Sequence, residues 1–563
     1  MKKLVNLFFI TVICFVLFGC IKNNDLNSLN FEKFVFENES FGIEGKITDG
    51  IFENNELAEK YQVILELYDN YEPLEKPTKE LSMKEAKEFL KENRERTKEH
   101  YSSANKELCE ELDLYSLEGE IEISNYSPFI FISYENTDNY DVTLLKLIEL
   151  SEKEQIKKIY INNIENWKND IGPDIMIDTR PDDGGGSVPE YTGDGVVIGI
   201  LDPGVVMASN SNFDDINLTV RDEWYYIETE TEHATTVASI AGGREGIATE
   251  ADILSVEVCG NLSSEVEWLL ENDVNVVNMS FYDSAASSSL GNYTSNAAYI
   301  DSIVRNNYVT FVGSAGNRGD DDKYVTSPKT GYNVIAVGST NENGTTLSSF
   351  SSFKEKFSIT KPNLVARGEN YVINEIGNQG SGTSYAAPVV TGTVALMMEK
   401  RPNLMLYPEL VMTILTANAD NMSNYTGKNA DGFNNKVGAG FINIDNTLAN
   451  IDNSVSFSYS TQNQSSVFVS ETSVYLSAKQ TIKISFASLA NTNGDNDTGK
   501  ITDYGLHIYK SNGAYLYSIA SFSNTELLEY SALTSGTYII KIYIHSAKKT
   551  ELNDLCAYAY KIS

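Results

Sequence analysis

Histidine is nearly missing from this chain, with 4 in 563 residues: His100, His233, His507 and His545. Any imidazole chemistry in the stretch 191–450 therefore rests on His233 alone. Cysteine is also scarce, at 5. Cys14 falls within an N-terminal signal-like run and Cys20 at its end. The remaining Cys109, Cys259 and Cys556 fall one in each later region, too scattered for a disulfide framework. Positive charge is in deficit, with 43 Lys and Arg against 79 Asp and Glu and a net charge of −36. That balance argues against a nucleic-acid partner and for a soluble, self-repelling surface. A Gly-x-Ser-x-Gly elbow is absent, which disfavours the lipase and esterase type of serine chemistry. No apolar run is long enough to span a bilayer: Leu4 to Phe18, behind Met1-Lys2-Lys3, has the size of an export signal instead.

The run closes on Leu17-Phe18-Gly19-Cys20, which resembles a bacterial lipoprotein signal. The resemblance implies an acylated Cys20 and a membrane tether through its lipid; plain secretion is the alternative. The chain then divides into a signal (1–19), a polar tether (20–59), a small α+β region (60–162), a linker (163–190), an α/β domain (191–450) and a C-terminal domain (451–563). The small region orders as strand, long helix from Ser82 to about Cys109, two strands, a helix over Asp141 to Ser151 and a strand, the split βαβ pattern of ferredoxin-like folds. Gly172-Pro173, Pro181-Asp182-Asp183 and Gly184-Gly185-Gly186 punctuate the linker.

Between 191 and 450, Val/Ile-rich runs alternate with helical stretches. Val196–Leu201, Asp252–Val258, Val274–Ser280, Val309–Ser314 and Val334–Val337 read as buried parallel strands. The fold class is thus α/β, a doubly wound and mainly parallel sheet, whose sites lie at the carboxyl ends of strands. After Gly440 the composition turns to alternating Ser, Thr, Tyr and Ile. The Asn512-Gly513 turn between Leu506–Lys510 and Ala514–Tyr517 is a hairpin signal, and a β-sandwich follows from it.

Three loops of the α/β domain carry chemistry-bearing residues. Gly380-Ser381-Gly382-Thr383-Ser384-Tyr385-Ala386-Ala387-Pro388 sets a serine at the mouth of an apolar helix, where unpaired backbone N–H groups would stabilise an oxyanion. Pro388 fits there, since a first helical turn has no intrahelical use for its missing N–H. Alone, the stretch reads more simply as a helix cap, since Ser and Thr are the ordinary N-cap residues. Asp202 ends a buried strand and can orient the imidazole of His233, which begins an apolar helix. Asn317, in Gly313-Ser314-Ala315-Gly316-Asn317-Arg318, ends another strand and offers an amide donor; singly, a strand-end Asp or Asn is a turn former.

In the order Asp, His, Asn, Ser these segments resemble the subtilisin-like serine proteases. Asp202-Pro203-Gly204 is similar to Asp-Thr/Ser-Gly, His233-Ala234-Thr235-Thr236-Val237-Ala238 to His-Gly-Thr-His-Val-Ala, and Gly382 to Pro388 to Gly-Thr-Ser-Met-Ala-x-Pro. The resemblance covers about 190–450. It implies Ser384 as nucleophile, His233 as base, Asp202 as orienting acid and Asn317 as oxyanion donor, acting on protein or peptide substrates. It implies substrate-binding walls at Ser280-Phe281-Tyr282, which pair with extended substrate, and at Ser314-Ala315-Gly316. It also makes the region before the linker a propeptide, chaperone and inhibitor of its own enzyme. Tyr282 in place of glycine is expected to narrow the S1 cleft. Arg318 is a candidate for an acidic P1 preference, or else a solvated charge. Tyr385 replaces an oxidisable methionine. No cofactor is required for the chemistry; Gly242 to Gly246 is shorter than the loop that often holds structural calcium in the family, which leaves that metal in doubt. The reading from another class is a catalytically dead subtilase-fold scaffold lipoprotein.

Overall fold

The computed structural model describes residues 60–563 apart from 118, 136–145, 148, 164–167, 170–189, 222–228, 259–261, 283–289, 320–321, 354–358, 374–376, 461–466, 491–500 and 547–552. Cys20, Cys259 and most of the linker lie outside these. No helix among the described residues is long and apolar enough to cross a membrane. The chain forms two compact units, one comprising residues up to Tyr68 with 107–123 and 129–164, the other 69–106, 124–128 and 165–563.

The first unit is one antiparallel sheet built from β1 (Lys60–Leu67), β2 (Glu120–Ile123), β3 (Phe129–Glu135) and β4 (Ile156–Asn163), in the order β2-β3-β1-β4. That is the strand order of a split βαβ unit. Period-two alternation places Val63, Leu65 and Leu67 with Ile130, Ile132, Ile156 and Ile159 in one core, closed by Cys109, Leu112, Leu114, Leu147 and Leu150. Glu66 of β1 is buried yet satisfied, accepting from Lys157 Nζ and from Tyr160 OH at 2.7 Å. Of the expected 141–151 helix, 141–145 and 148 lie outside the described residues.

The second unit contains a seven-stranded parallel sheet of β6 (Val197–Asp202), β7 (Leu218–Val220), β8 (Asp252–Glu257), β9 (Val276–Met279), β11 (Thr310–Ser314), β12 (Ile335–Thr340) and β13 (Leu364–Arg367), ordered β13-β12-β11-β9-β6-β8-β7. Its central strands are buried along their whole length, as strands covered on both faces must be. Two short ladders flank it: β5 (Lys168–Asn169) with β10 (Phe281–Tyr282), and β14 (Tyr371–Ile373) with β15 (Gly377–Gly380).

Helix α1 (Met83–Glu111) straddles the division after Lys106. Its earlier part serves the sheet of the second unit. Arg94 Nη2 donates to Val274 O at 2.6 Å, and Asn93 Nδ2 to Asn306 O at 2.9 Å. Val274 leads into β9 and Asn306 into β11, so this segment crosses the amino ends of those strands. A Cβ on Gly195, just before β6, would lie 3.3 Å from Met83 Cγ.

The helices between strands are α2 (Glu232–Gly242), α3 (Leu262–Glu271), α4 (Ser295–Asn307), α5 (Thr383–Lys400), α6 (Pro408–Asn418) and α7 (Ile444–Ala449). Beyond them, β16 (Ser454–Tyr459), β17 (Val467–Leu476), β18 (Thr481–Leu489), β19 (Asp503–Lys510), β20 (Tyr515–Ala520), β21 (Thr525–Ser531), β22 (Gly536–Ser546) and β23 (Asp554–Ile562) make two four-stranded antiparallel sheets, β16-β23-β18-β21 and β17-β22-β19-β20. Inward residues of both, among them Ile484, Phe486, Tyr504, Ile540, Ile542 and Cys556, share one core. Gly513, at φ +83°, turns β19 into β20 as the Asn-Gly pair predicts.

Candidate active site

Helix α5 begins at Thr383, and its N-cap Gly382 supplies no side-chain bond. The cap comes from another loop: Asn317 Oδ1 accepts from Thr383 N at 2.9 Å and from Thr383 Oγ1 at 3.0 Å. Thr383 Oγ1 in turn accepts from Gly316 N at 3.1 Å. With its oxygen so held, the Asn317 amide turns its nitrogen the opposite way. Ser384 is therefore the second residue of a helix whose entry is locked to the carboxyl end of β11.

Pro388 corrects one sequence expectation. It is the sixth residue of α5, beyond the first turn, so its missing N–H deprives Ser384 O of the usual i+4 donor. Ser280 Oγ replaces that donor at 2.9 Å, and Asn278 Nδ2 donates to Ser280 Oγ at 2.8 Å. Asn278 Oδ1 accepts from Thr391 Oγ1 at 3.0 Å, two turns further along α5 than Ser384. The serine helix is thus bonded to the carboxyl end of β9 as well.

Asp202 is the last residue of β6 and fully buried. Backbone bonds Val205 N to Thr229 O (2.8 Å) and Thr231 N to Val205 O (2.9 Å) tie the loop after it to the entry of α2. Thr231 caps α2 by accepting from Ala234 N at 3.1 Å. His233 consequently sits with Nδ1 2.8 Å from Asp202 Oδ1. A carboxylate there fixes the tautomer with Nδ1 protonated and leaves Nε2 as the basic atom. His233 Nε2 is buried and has no hydrogen-bond partner among the described residues. The imidazole packs at 5.8 Å against the ring of Tyr385, which packs at 5.9 Å against Tyr371.

Ser384 is buried, and its hydroxyl donates to Ser280 O at 3.3 Å, a long bond, rather than to His233. Resting serine–histidine bonds are often loose before substrate binds. Ser280 and Phe281 are buried and Tyr282 is partly so; Ser314 and Ala315 are buried, and Gly316 has φ +113°. The strand-like edge at Phe281–Tyr282 is already paired. Lys168 faces Tyr282 and Asn169 faces Phe281, antiparallel. Arg318 is half-buried and forks onto Asp322, with Nε 3.1 Å from Oδ1 and Nη2 2.8 Å from Oδ2.

Cys20 lies outside the described residues. In the short loop after α2, Gly246 N returns to Gly243 O and Arg244 N to Asn212 O. Among the described residues no group of three or more His, Cys, Asp or Glu could hold a metal. Sequence reasoning missed Asn278, Tyr371 and the fully buried Lys329, whose Nζ donates to Phe281 O. A lysine next to a proline in a polar loop carries no local signal of burial.

The Subtilase family model matches residues 193–440. A thermostable alkaline protease of Halalkalibacterium halodurans is 28% identical over 228 residues, 38% of this chain and 59% of that protein. The serine protease AprX of Bacillus subtilis is 25% identical over 353 residues, 53% of this chain and 76% of its own length. Among solved structures, fervidolysin from Fervidobacterium pennivorans superposes at TM-score 0.47 and 16% identity, covering 89% of this chain and 71% of that one. The chain spans less than two thirds of the first of these relatives. Residues 193–440 are the part of the chain that is similar to the Subtilase family.

Proposed function

We propose that the chain is an extracytoplasmic, subtilisin-like serine endopeptidase. In this reading it is tethered by lipid on Cys20, and the N-terminal region acts as its propeptide. The observation that carries the reading is the buried Asp202–His233 pair at 2.8 Å, with His233 Nε2 unpartnered in the same loop cluster as a helix-mouth serine. Ser384 Oγ attacks the scissile carbonyl and its proton passes to His233 Nε2. The tetrahedral oxyanion takes donors from the Asn317 amide and the first turn of α5. His233 then protonates the leaving amine as the C–N bond breaks, and water, deprotonated by the same imidazole, hydrolyses the acyl-enzyme.

The β5–β10 ladder supports the substrate-pairing role of Ser280 to Tyr282, because an extended segment already adds to that edge in antiparallel register. It also supports a propeptide role for the segment leading into the linker. Intact mass tests the reading: the signal-less wild type is expected to split within 163–190, whereas Ser384→Ala stays whole.

The second reading, a dead scaffold, draws on the Ser384 hydroxyl pointing to Ser280 O instead of the imidazole. Labelling by a serine-directed fluorophosphonate separates the two. An enzyme takes the label and Ser384→Ala does not; a scaffold takes none.

A further inference from the structure

Two of the four histidines, neither with a part in the proposed mechanism, meet on the outer face of the sheet β17-β22-β19-β20. His507 belongs to β19 and His545 to the neighbouring β22. Strand alternation sends Leu506, Ile508, Ile542 and Ile544 into the sandwich core and leaves both imidazoles on the opposite side. Their Nε2 atoms are 3.2 Å apart. The rings are inclined by only 17°, and their centroids, at 5.3 Å, stand further apart than those nitrogens. Each ring therefore presents Nε2 toward the other.

The surroundings hold this approach in place. Gly505 lies two residues before His507 on the same face, and a Cβ there would stand 2.5 Å from His545 Nε2 and 2.8 Å from its Cδ2. The His545 ring thus lies over bare backbone to reach its partner. The ring of Tyr543 meets His507 edge-on at 4.8 Å, and that of Tyr515 at 6.3 Å. Lys541, which faces His507 in the ladder, carries its ammonium to Glu471 of β17 at 3.2 Å.

Two imidazole nitrogens bound to one zinc ion at the usual lengths and a tetrahedral angle are separated by about 3.3–3.4 Å. The pair already stands close to that bite. In the free protein one Nε2 donates to the other; once the donor ring carries its proton on Nδ1 instead, both Nε2 lone pairs are free for a metal. Imidazole suits zinc, copper and nickel, whereas calcium and magnesium take oxygen ligands.

We propose that His507 and His545 form a bidentate site for a divalent transition metal of the zinc, nickel and copper class, which stitches β19 to β22 while solvent fills its remaining positions. This inference is independent of the endopeptidase reading.

The test titrates Zn²⁺, Ni²⁺ and Ca²⁺ separately, by calorimetry, into the signal-less Ser384→Ala chain carrying no purification tag. His507→Asn, His545→Asn and Gly505→Ala are each expected to weaken Zn²⁺ and Ni²⁺ binding by at least roughly tenfold, because a second ligand held in place adds at least that much. His100→Asn is expected to leave both unchanged, and none of the variants should alter the response to Ca²⁺. Gly505→Ala keeps both imidazoles and moves one, so only a site that needs the two nitrogens together responds to it. Thermal unfolding without metal shows which variants fold; should His507→Asn fail, the exposed His545 and Gly505→Ala carry the test. Absence of Zn²⁺ and Ni²⁺ binding in the parent chain overturns the site. So does a loss of about twofold or less in the histidine variants, the mark of two independent ligands, or unchanged binding in Gly505→Ala.

Discussion

At the residue scale, Asn317 has two jobs at its two ends. Its oxygen caps α5 through Thr383, and its nitrogen is the proposed oxyanion donor. The two are separable by substitution. Asn317→Leu is expected to lower kcat by on the order of 10²–10³ with little change in KM, the usual scale for an oxyanion donor. It should also lose about 1 kcal/mol of stability with the cap. Asn317→Asp keeps the capping oxygen, so thermal unfolding should return toward wild type while kcat stays low. Tyr385 offers a second test beside the nucleophile. Where the motif usually has a thioether, a buried phenol packs on His233. Fluorophosphonate labelling of the wild type should survive a peroxide exposure that abolishes labelling of Tyr385→Met, whose sulfur would oxidise to sulfoxide.

At the scale of elements, the attachment of α6 to β18 contains a charge that depends on pH. Lys483 of β18 is buried and donates to Ala419 O and Ala439 O, both at 2.7 Å, and burial pulls its pKa down to about 7. The folded state therefore sheds this proton near pH 7, while the unfolded chain keeps it to about 10.4. Since the unfolded state binds more protons across that window, Lys483 makes stability rise with pH between those values, by a few kcal/mol at most (about 1.4 per pK unit). Melting temperatures at pH 7.5 and 9.5 should climb in the wild type relative to Lys483→Met; parallel curves would sink the assignment. Much of this scaffold was legible beforehand. Long Val/Ile runs and the Asn-Gly turn predict β6, β8, β9, β11, β12 and the β19–β20 hairpin, because burial on both faces and left-handed backbone leave local marks. The motif residues predict where the loops converge. Three-residue β7, four-residue β13 and the β14–β15 ladder leave no such marks, since their pairing is decided by neighbours distant in sequence. Neither Ser280 replacing the donor that Pro388 lacks nor the burial of Lys329 can be read from a window of residues.

At the scale of the whole molecule, a cut in the linker does not by itself free the N-terminal fragment. Within the second unit, residues 69–106 bury Arg94 on Val274 O and pair Lys76 with Glu409 at 2.6 Å, with both side chains nearly inaccessible. Leu81 N donates to Asn403 Oδ1 at 2.6 Å, and Tyr407 OH to Pro77 O at 2.8 Å. Removing the segment would leave Glu409 buried without its cation, an arrangement costing about 3–5 kcal/mol. The Arg94 contact lies at the amino end of β9 and the others at residues 403–409, whereas Ser280 and Asn317 follow the carboxyl ends of β9 and β11. The segment can therefore stay without covering the serine. A site for an unrelated protease inserted between 174 and 186 of the Ser384→Ala chain tests this without relying on self-cleavage: the halves should co-elute and part only in denaturant. The β5–β10 ladder carries a last consequence. Because the strand paired with Phe281–Tyr282 is covalently part of the chain that carries Ser384, the proposed self-cleavage in the linker is expected to be a first-order event. Its half-time should be the same in a dilute sample as in a concentrated one, a clock set by the fold and indifferent to how many copies surround it.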